Sequence, residues 1–187
     1  MNEILRFRSP SEFRKWLAAN HHQSEGIWLR IFKKDAGEPS VSYAEALDEA
    51  LCYGWIDGQK KSHDDSSWLQ RFTRRRARSN WSSINTQHAE RLIQAGRVKA
   101  PGQAAIDAAK KDGRWASAYD SQSNAIFPED FLAALRRNKK AKAFLESLSK
   151  ANRYAIAYRL QTAKKAETKQ KRMEMILAMP GRSEAFH

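Results

Sequence analysis

The sequence predicts an α+β fold, mainly α: a small antiparallel sheet of about three strands packed by helices, followed by a C-terminal helical subdomain. Three observations lead there. Two serine capping boxes stand ahead of runs with helical spacing, at Ser9–Glu12 and Ser42–Glu45. Alternating apolar residues fill 27–33, 55–61 and 67–73. From residue 128 onward only helical spacing occurs. The expected division is an α+β core over 1–113 and a helical subdomain over 128–182.

The elements follow in order. Ser9 caps a helix with Pro10 at its first position, Phe13, Trp16 and Leu17 on its inner face, and an end near Asn20. Gly26 opens a strand in which Ile27, Leu29 and Ile31 share one face and Trp28, Arg30 and Phe32 the other. A turn over 35–39 leads to the second capped helix, carrying Leu47, Ala50 and Leu51, which Gly54 closes. Segments 55–61 and 67–73 form a hairpin, with the polar stretch 62–66 between its strands. Trp81, Ile84, His88 and Leu92 predict a helix stopping at Gly96, and Pro101–Lys111 a short alanine-rich one. Residues 114–127 read as a surface connection. Four helices complete the chain: one from Pro128, one with Phe144 and Leu145, one capped by Ser149, and a last one over Glu167–Met179 with Met175, Ile176 and Met179 inward, ended by Pro180-Gly181. No period of 20–50 residues repeats, which excludes a solenoid.

A chain of 187 residues with 41% hydrophobic residues builds its core without a metal or disulfide staple. A single cysteine, Cys52, forms no intramolecular disulfide and fits a reducing compartment. No secretory signal and no run of about 20 apolar residues is visible, so the expectation is a cytoplasmic protein without membrane insertion. The net charge of +13 is polarised. Residues 1–70 hold 9 Lys/Arg against 11 Asp/Glu, residues 71–135 hold 11 against 6, and residues 136–187 hold 14 against 4. Such a gradient attracts anions directionally. A solvated basic surface without a specific partner is the plainer alternative.

The most informative segment is Arg71-Phe72-Thr73-Arg74-Arg75-Arg76-Ala77-Arg78-Ser79-Asn80-Trp81, with five arginines in eight positions between two aromatics. Guanidinium groups grip phosphate or carboxylate in a planar fork and stack on bases. The candidate ligand-binding set is therefore Arg71, Arg74, Arg75, Arg76, Arg78, Trp81 and Asn85, with Trp55 and Asp57 from the Cys52–Gly58 segment. In the opposing reading Phe72 and Trp81 are core anchors, and the arginines pair with Asp57, Asp64 and Asp65. Asp57 beside glycines and aromatics is a candidate acid, although Asp before Gly more often shapes a turn. His21, His22, His63 and His88 lack metal-ligand spacing, and no phosphate loop, dinucleotide fingerprint or nucleophile elbow occurs. No metal, cofactor or catalytic residue is expected. The basic run Ala163–Arg172 reads as a solvated helix face.

Together these segments resemble the YdeI/OmpD-associated family, the bacteriocin-protection proteins. The residues carrying the likeness are 50–58, 69–73 and 79–85, then Pro128-Glu129-Asp130-Phe131, Asn152-Arg153-Tyr154 and Ala163–Arg172. The chain departs from the family pattern at Arg74 and Ala166, where proline is favoured. The resemblance implies a role in tolerance of bacteriocins or cationic antimicrobial peptides with an indirect link to an outer-membrane porin, and it supplies no catalytic residues. A chain at +13 repels cationic peptides, so direct capture by charge is disfavoured. Three readings follow: a non-catalytic protein binding an anionic ligand or acidic protein, an RNA- or single-stranded-DNA-binding protein stacking bases on Phe72 and Trp81, and an enzyme using Asp57 on an anionic small molecule.

Overall fold

In the computed structural model, residues 3–120, 126–163 and 165–179 are described. They fold as α+β, mainly α, with eight helices and a four-stranded sheet. Two compact units divide them. The first takes the residues up to Ser79 together with Asn85–Trp115; the second takes Asn80–Ile84 and the residues from Ala116 onward.

The first unit is built on β1 (Ile4–Arg6), β2 (Ile27–Phe32), β3 (Trp55–Asp64) and β4 (Ser67–Arg74), in the order β1-β2-β4-β3. The three expected strands pair antiparallel, and β1 adds a fourth, parallel to β2. Helix α1 (Pro10–Asn20) starts at the Ser9 cap, and α2 (Tyr43–Cys52) at Ser42, whose hydroxyl and backbone both engage Glu45. Register places Ile27, Leu29 and Ile31 on one face with Phe72. That face meets α1, where Phe13 and Phe72 lie 5.7 Å apart and Trp16 stands edge-on to Trp55 at 5.7 Å. Full burial of each such ring contributes about 1.5–3 kcal/mol.

The hairpin departs from expectation. Residues 62–64 belong to β3, leaving only Asp65 and Ser66 as the turn. Asp64 holds it: its Oδ1 accepts from Ser66 N at 2.9 Å and from the Ser67 hydroxyl at 2.8 Å. Asp57 is likewise a strand residue opposite Phe72; of the two irregularities in the pairing, one falls between Ser62 and Asp64 and the other just after Asp57, where β3 carries one extra residue at Gly58–Gln59. Gln70, buried, donates to the carbonyls of both bulge residues at 2.9 and 3.3 Å.

Helices α3 (Ser83–Gln94) and α4 (Ala100–Lys111) complete this unit, apart from the first two residues of α3. The buried positions of α3 are Thr86, Ala89 and Leu92; Ile84 is exposed, and Trp81 precedes the helix. The N-terminal turn of α4 touches the end of α2 backbone to backbone. A Cβ at Gly102 would fall 2.3 Å from the Cys52 carbonyl oxygen, and one at Gly54, whose φ is 71°, would fall 2.7 Å from that of Pro101. Only glycine fits such an approach.

The second unit holds α5 (Glu129–Arg137), α6 (Lys139–Ser147), α7 (Lys150–Gln161) and α8 (Ala166–Ala178). Its core joins Phe131, Leu135, Ala141, Leu145, Ile156, Leu160, Met173 and Ile176. Met173, not Met175, points inward, because the inner stripe of α8 runs through 173 and 176. Between α4 and α5 the chain is not wholly superficial: Arg114 is buried, and Ser82 forms a bridge with Tyr119. Pro180-Gly181 lies outside the described residues.

Candidate functional site

The arginine run leaves the sheet at the end of β4 and turns back on itself. Arg75 N–H donates to the Gly54 carbonyl at 2.9 Å, Ser79 N–H to the Arg76 carbonyl at 2.9 Å, and the buried Arg114 guanidinium to the Ser79 carbonyl at 2.8 Å. This backbone anchoring fixes the segment while Arg74, Arg76 and Arg78 stay exposed. Among the described residues none of these three forms an ion pair; Arg74 donates to the His22 carbonyl at 3.2 Å. Two of the three carboxylates expected to neutralise the run are engaged elsewhere. Asp57 accepts from the Tyr43 hydroxyl at 2.8 Å, and Asp64 pairs with Arg30 at 2.7 Å.

The aromatic residues grouped with the run are buried. Trp55 is wholly buried, its indole N–H donating to the His21 carbonyl at 3.2 Å. Phe72 is wholly buried too, and Trp81 is 2% exposed within the second unit, where its carbonyl accepts from Tyr119 N–H at 3.0 Å. These rings are core anchors and present no face to a base. Asn85 is half-buried on α3. Arg71 turns away from Arg74, onto the second face of the sheet.

That face carries an arrangement that residue spacing alone does not disclose. Arg71 and Lys61 lie over the Trp28 ring at 5.8 and 4.5 Å, and Arg6 and Arg30 over the Phe32 ring at 4.6 and 4.4 Å. Pairing of Trp28 with Arg71 and of Leu69 with Lys61 puts these groups side by side. Arg6 also pairs with Glu38. Each cation–ring contact contributes about 0.5–1 kcal/mol at exposed sites.

On the helix-covered face, beyond the start of α2, Asp57 lines an open depression of ≈370 Å³ with Tyr43, Gly58, Lys60, Trp68 and Gln70. Lys60 Nζ stands 4.9 Å over the Trp68 ring. Burial, then the Asp57 charge and hydrogen bond, push the Tyr43 hydroxyl well above its ordinary value, so Tyr43 stays a proton donor to Asp57.

A further charged cluster was not legible in the sequence. Glu49, 1% exposed, accepts from Arg14 Nε at 2.8 Å and Nη2 at 2.6 Å, and from Arg97 Nη2 at 2.6 Å. Next to it Asp48 accepts from His88 at 2.8 Å and from Arg91 at 2.7 Å. Burial pushes the Asp48 carboxyl up, but the hydrogen bonds from Arg91 and His88 outweigh it and hold the group below the usual carboxylate range. Burial, then the Glu49 charge, push the Cys52 thiol up to about 11. The acids are saturated by arginine, and among the described residues no group of three or more His, Cys, Asp or Glu could hold a metal ion. Nor is any described helix long and apolar enough to cross a membrane.

Fold and site thus define an α+β protein of two units whose first carries exposed arginines at a sheet margin. Residues 5–105 match a family described as a domain of unknown function (DUF8412), and residues 124–181 match the family described as Bacteriocin-protection, YdeI or OmpD-Associated. The chain belongs to the first of these families, which spans more than half of it, and carries the YdeI/OmpD-associated domain at its C-terminal end. The segments 50–58, 69–73 and 79–85 fall within the first match, and Pro128–Phe131, Asn152–Tyr154 and Ala163–Arg172 within the second. Comparison with curated proteins and with solved structures returned no match.

Proposed function

We propose that the chain is a non-catalytic, cytoplasmic anion-binding protein whose contact surface is the segment Arg74–Arg78. One observation supports this reading above the others: Arg74, Arg76 and Arg78 are exposed on an anchored turn, and among the described residues none of them pairs with a carboxylate. Unpaired guanidinium groups at a fixed spacing exchange counterions for a polyanion at little ordering cost. Their partner is then a nucleic acid, an acidic protein or another anionic ligand. The bacteriocin-protection domain connects this activity to stress resistance, with an indirect link to an outer-membrane porin. A net charge of +13 makes an anionic intermediary the better physical route to that role than capture of a cationic peptide.

The test is binding to immobilised heparin across a salt series, for the natural chain and for the Arg74→Ala/Arg76→Ala/Arg78→Ala variant. Affinity of the natural chain should fall steeply with salt, and the variant should show weaker binding with a shallower slope. Unchanged affinity and slope in the triple variant would refute the reading.

A further inference from the structure

We propose that the second face of the sheet docks single-stranded nucleic acid, with Trp28 and Phe32 as the rings on which bases stack. The inference rests on the polyanion reading above and names its ligand.

Register is the first support. Trp28 and Phe32 are four residues apart on β2, hence on one face and about 13 Å apart along the strand. Arg71 stands directly opposite Trp28 on β4, and β4 runs on into Arg74 and the exposed turn. Arg71 therefore adds its charge to the aromatic face, while Arg74, opposite Trp55, lies on the helix-covered side.

Charge complementarity is the second. Lys61, on the outermost strand, is exposed, and its ammonium rests on the Trp28 ring with no ion-pair partner among the described residues. Arg6 and Arg30 each combine a Phe32 contact with a carboxylate, Glu38 and Asp64. Both rings are 8% exposed, and long cationic side chains lie over each. A phosphate backbone offers Lys61 a stronger partner than a ring quadrupole and competes with Glu38 and Asp64 for Arg6 and Arg30. When they swing to phosphate, the ring faces become available to bases. An acidic peptide would draw the same cations but has no flat π face to place on the rings. A duplex keeps its bases stacked inside and would leave the rings unused. The separation of about 13 Å exceeds the base step of about 3.4 Å, so the two rings take non-adjacent bases of one opened strand.

The test uses the full chain and a labelled thymidylate oligomer of about 15 nucleotides, within the range occupied by single-strand-binding folds. Fluorescence anisotropy gives its affinity, with heparin and a duplex of equal length as comparison ligands. Trp28→Leu keeps an apolar side chain in place and removes the π face. It should weaken oligomer binding about 5- to 150-fold, the range for loss of one base–aromatic stack, and leave heparin affinity unchanged. Lys61→Ala, on an exposed edge, keeps the proposal testable if the Trp28 variant does not fold. It should make the oligomer's log–log salt slope shallower by about 0.7. Equal loss of heparin and oligomer binding in Trp28→Leu, an unchanged slope in Lys61→Ala, or duplex binding as tight as single strand would overturn the proposal. If the arginine triple variant weakens heparin binding while both sheet variants leave the oligomer untouched, only this assignment fails. If the triple variant leaves heparin binding intact, the polyanion reading itself fails.

Discussion

Replacing Gly102 with alanine sets two sizeable effects against each other, and the structure decides the sign. Gly102 lies within α4, where alanine is favoured by about 1 kcal/mol on helix propensity alone. Against this, the added Cβ would lie 2.3 Å from the Cys52 carbonyl oxygen and 2.8 Å from that of Leu51. Relief needs a shift of about 1 Å to reach ordinary contact. The atoms in the way are backbone, so no rotamer change relieves them. Moving α4 outward also stretches the 2.9 Å bond from Lys99 N–H to the same Cys52 carbonyl. Overpacking of this kind costs about 1–3 kcal/mol and occasionally more. With backbone on both sides the upper part of that range applies, leaving a net loss of about 2 kcal/mol after the propensity gain. For a chain of 187 residues this lowers Tm by about 4–8 °C. Thermal unfolding followed by circular dichroism at the helix band is the assay. Gly58→Ala, where the nearest atoms lie at 3.5 Å, serves as the control and should shift Tm little. A Tm for Gly102→Ala equal to or above that of the natural chain would mean that α2 and α4 do not approach this closely.

Removing the Glu49 carboxylate with Glu49→Ala strips Arg14 of this ion pair and leaves Arg97 its 4.0 Å contact to Asp48. Because their side chains are 47% and 36% exposed they partly re-solvate, and urea titration should show a loss near the lower end of about 3–5 kcal/mol. Asp48 titrates below its unfolded value, so its stabilisation is complete above about pH 4 and is lost as pH falls through the folded-state pKa; the stability of Asp48→Asn should fall less steeply in that acid range. Cys52, buried with its thiol raised to about 11, should react with iodoacetamide at neutral pH only after denaturant is added, and prompt labelling of the native chain would contradict its placement.

What the sequence disclosed and what it withheld follow from the range of the interactions involved. Both serine caps were legible because a capping box is complete within four residues. The alternation in β2 was legible because both of its faces are buried or ring-lined. Residues 62–64 of β3 read as a loop because β3 is an edge strand; both its faces turn polar there, and period-2 patterning vanishes. β1, three residues long, is too short to show a period at all. Asp57-Gly58 carries the local chemistry of a turn, yet its strand placement is set by pairing with Phe72, across the hairpin. The arginine segment was found by composition alone. The reassignment of its aromatic neighbours to the core, and the stacking of Arg71 on Trp28, needed the sheet register. The Glu49 cluster joins residues 35 and 48 positions apart and leaves no local trace.

The Asp64 carboxylate has a consequence for the order in which the first unit assembles. Its contacts to Ser66 and Ser67 close a two-residue turn, whereas its contact to Arg30 spans 34 residues. Local closure comes early at small entropic cost, so the β3–β4 hairpin can form before β2 arrives and then offer it a ready anchor. In stopped-flow measurements Asp64→Ala should slow refolding, while Arg30→Ala should act chiefly on the unfolding rate. One side chain thus serves first as a local latch and later as the mooring for the strand that carries the aromatic face.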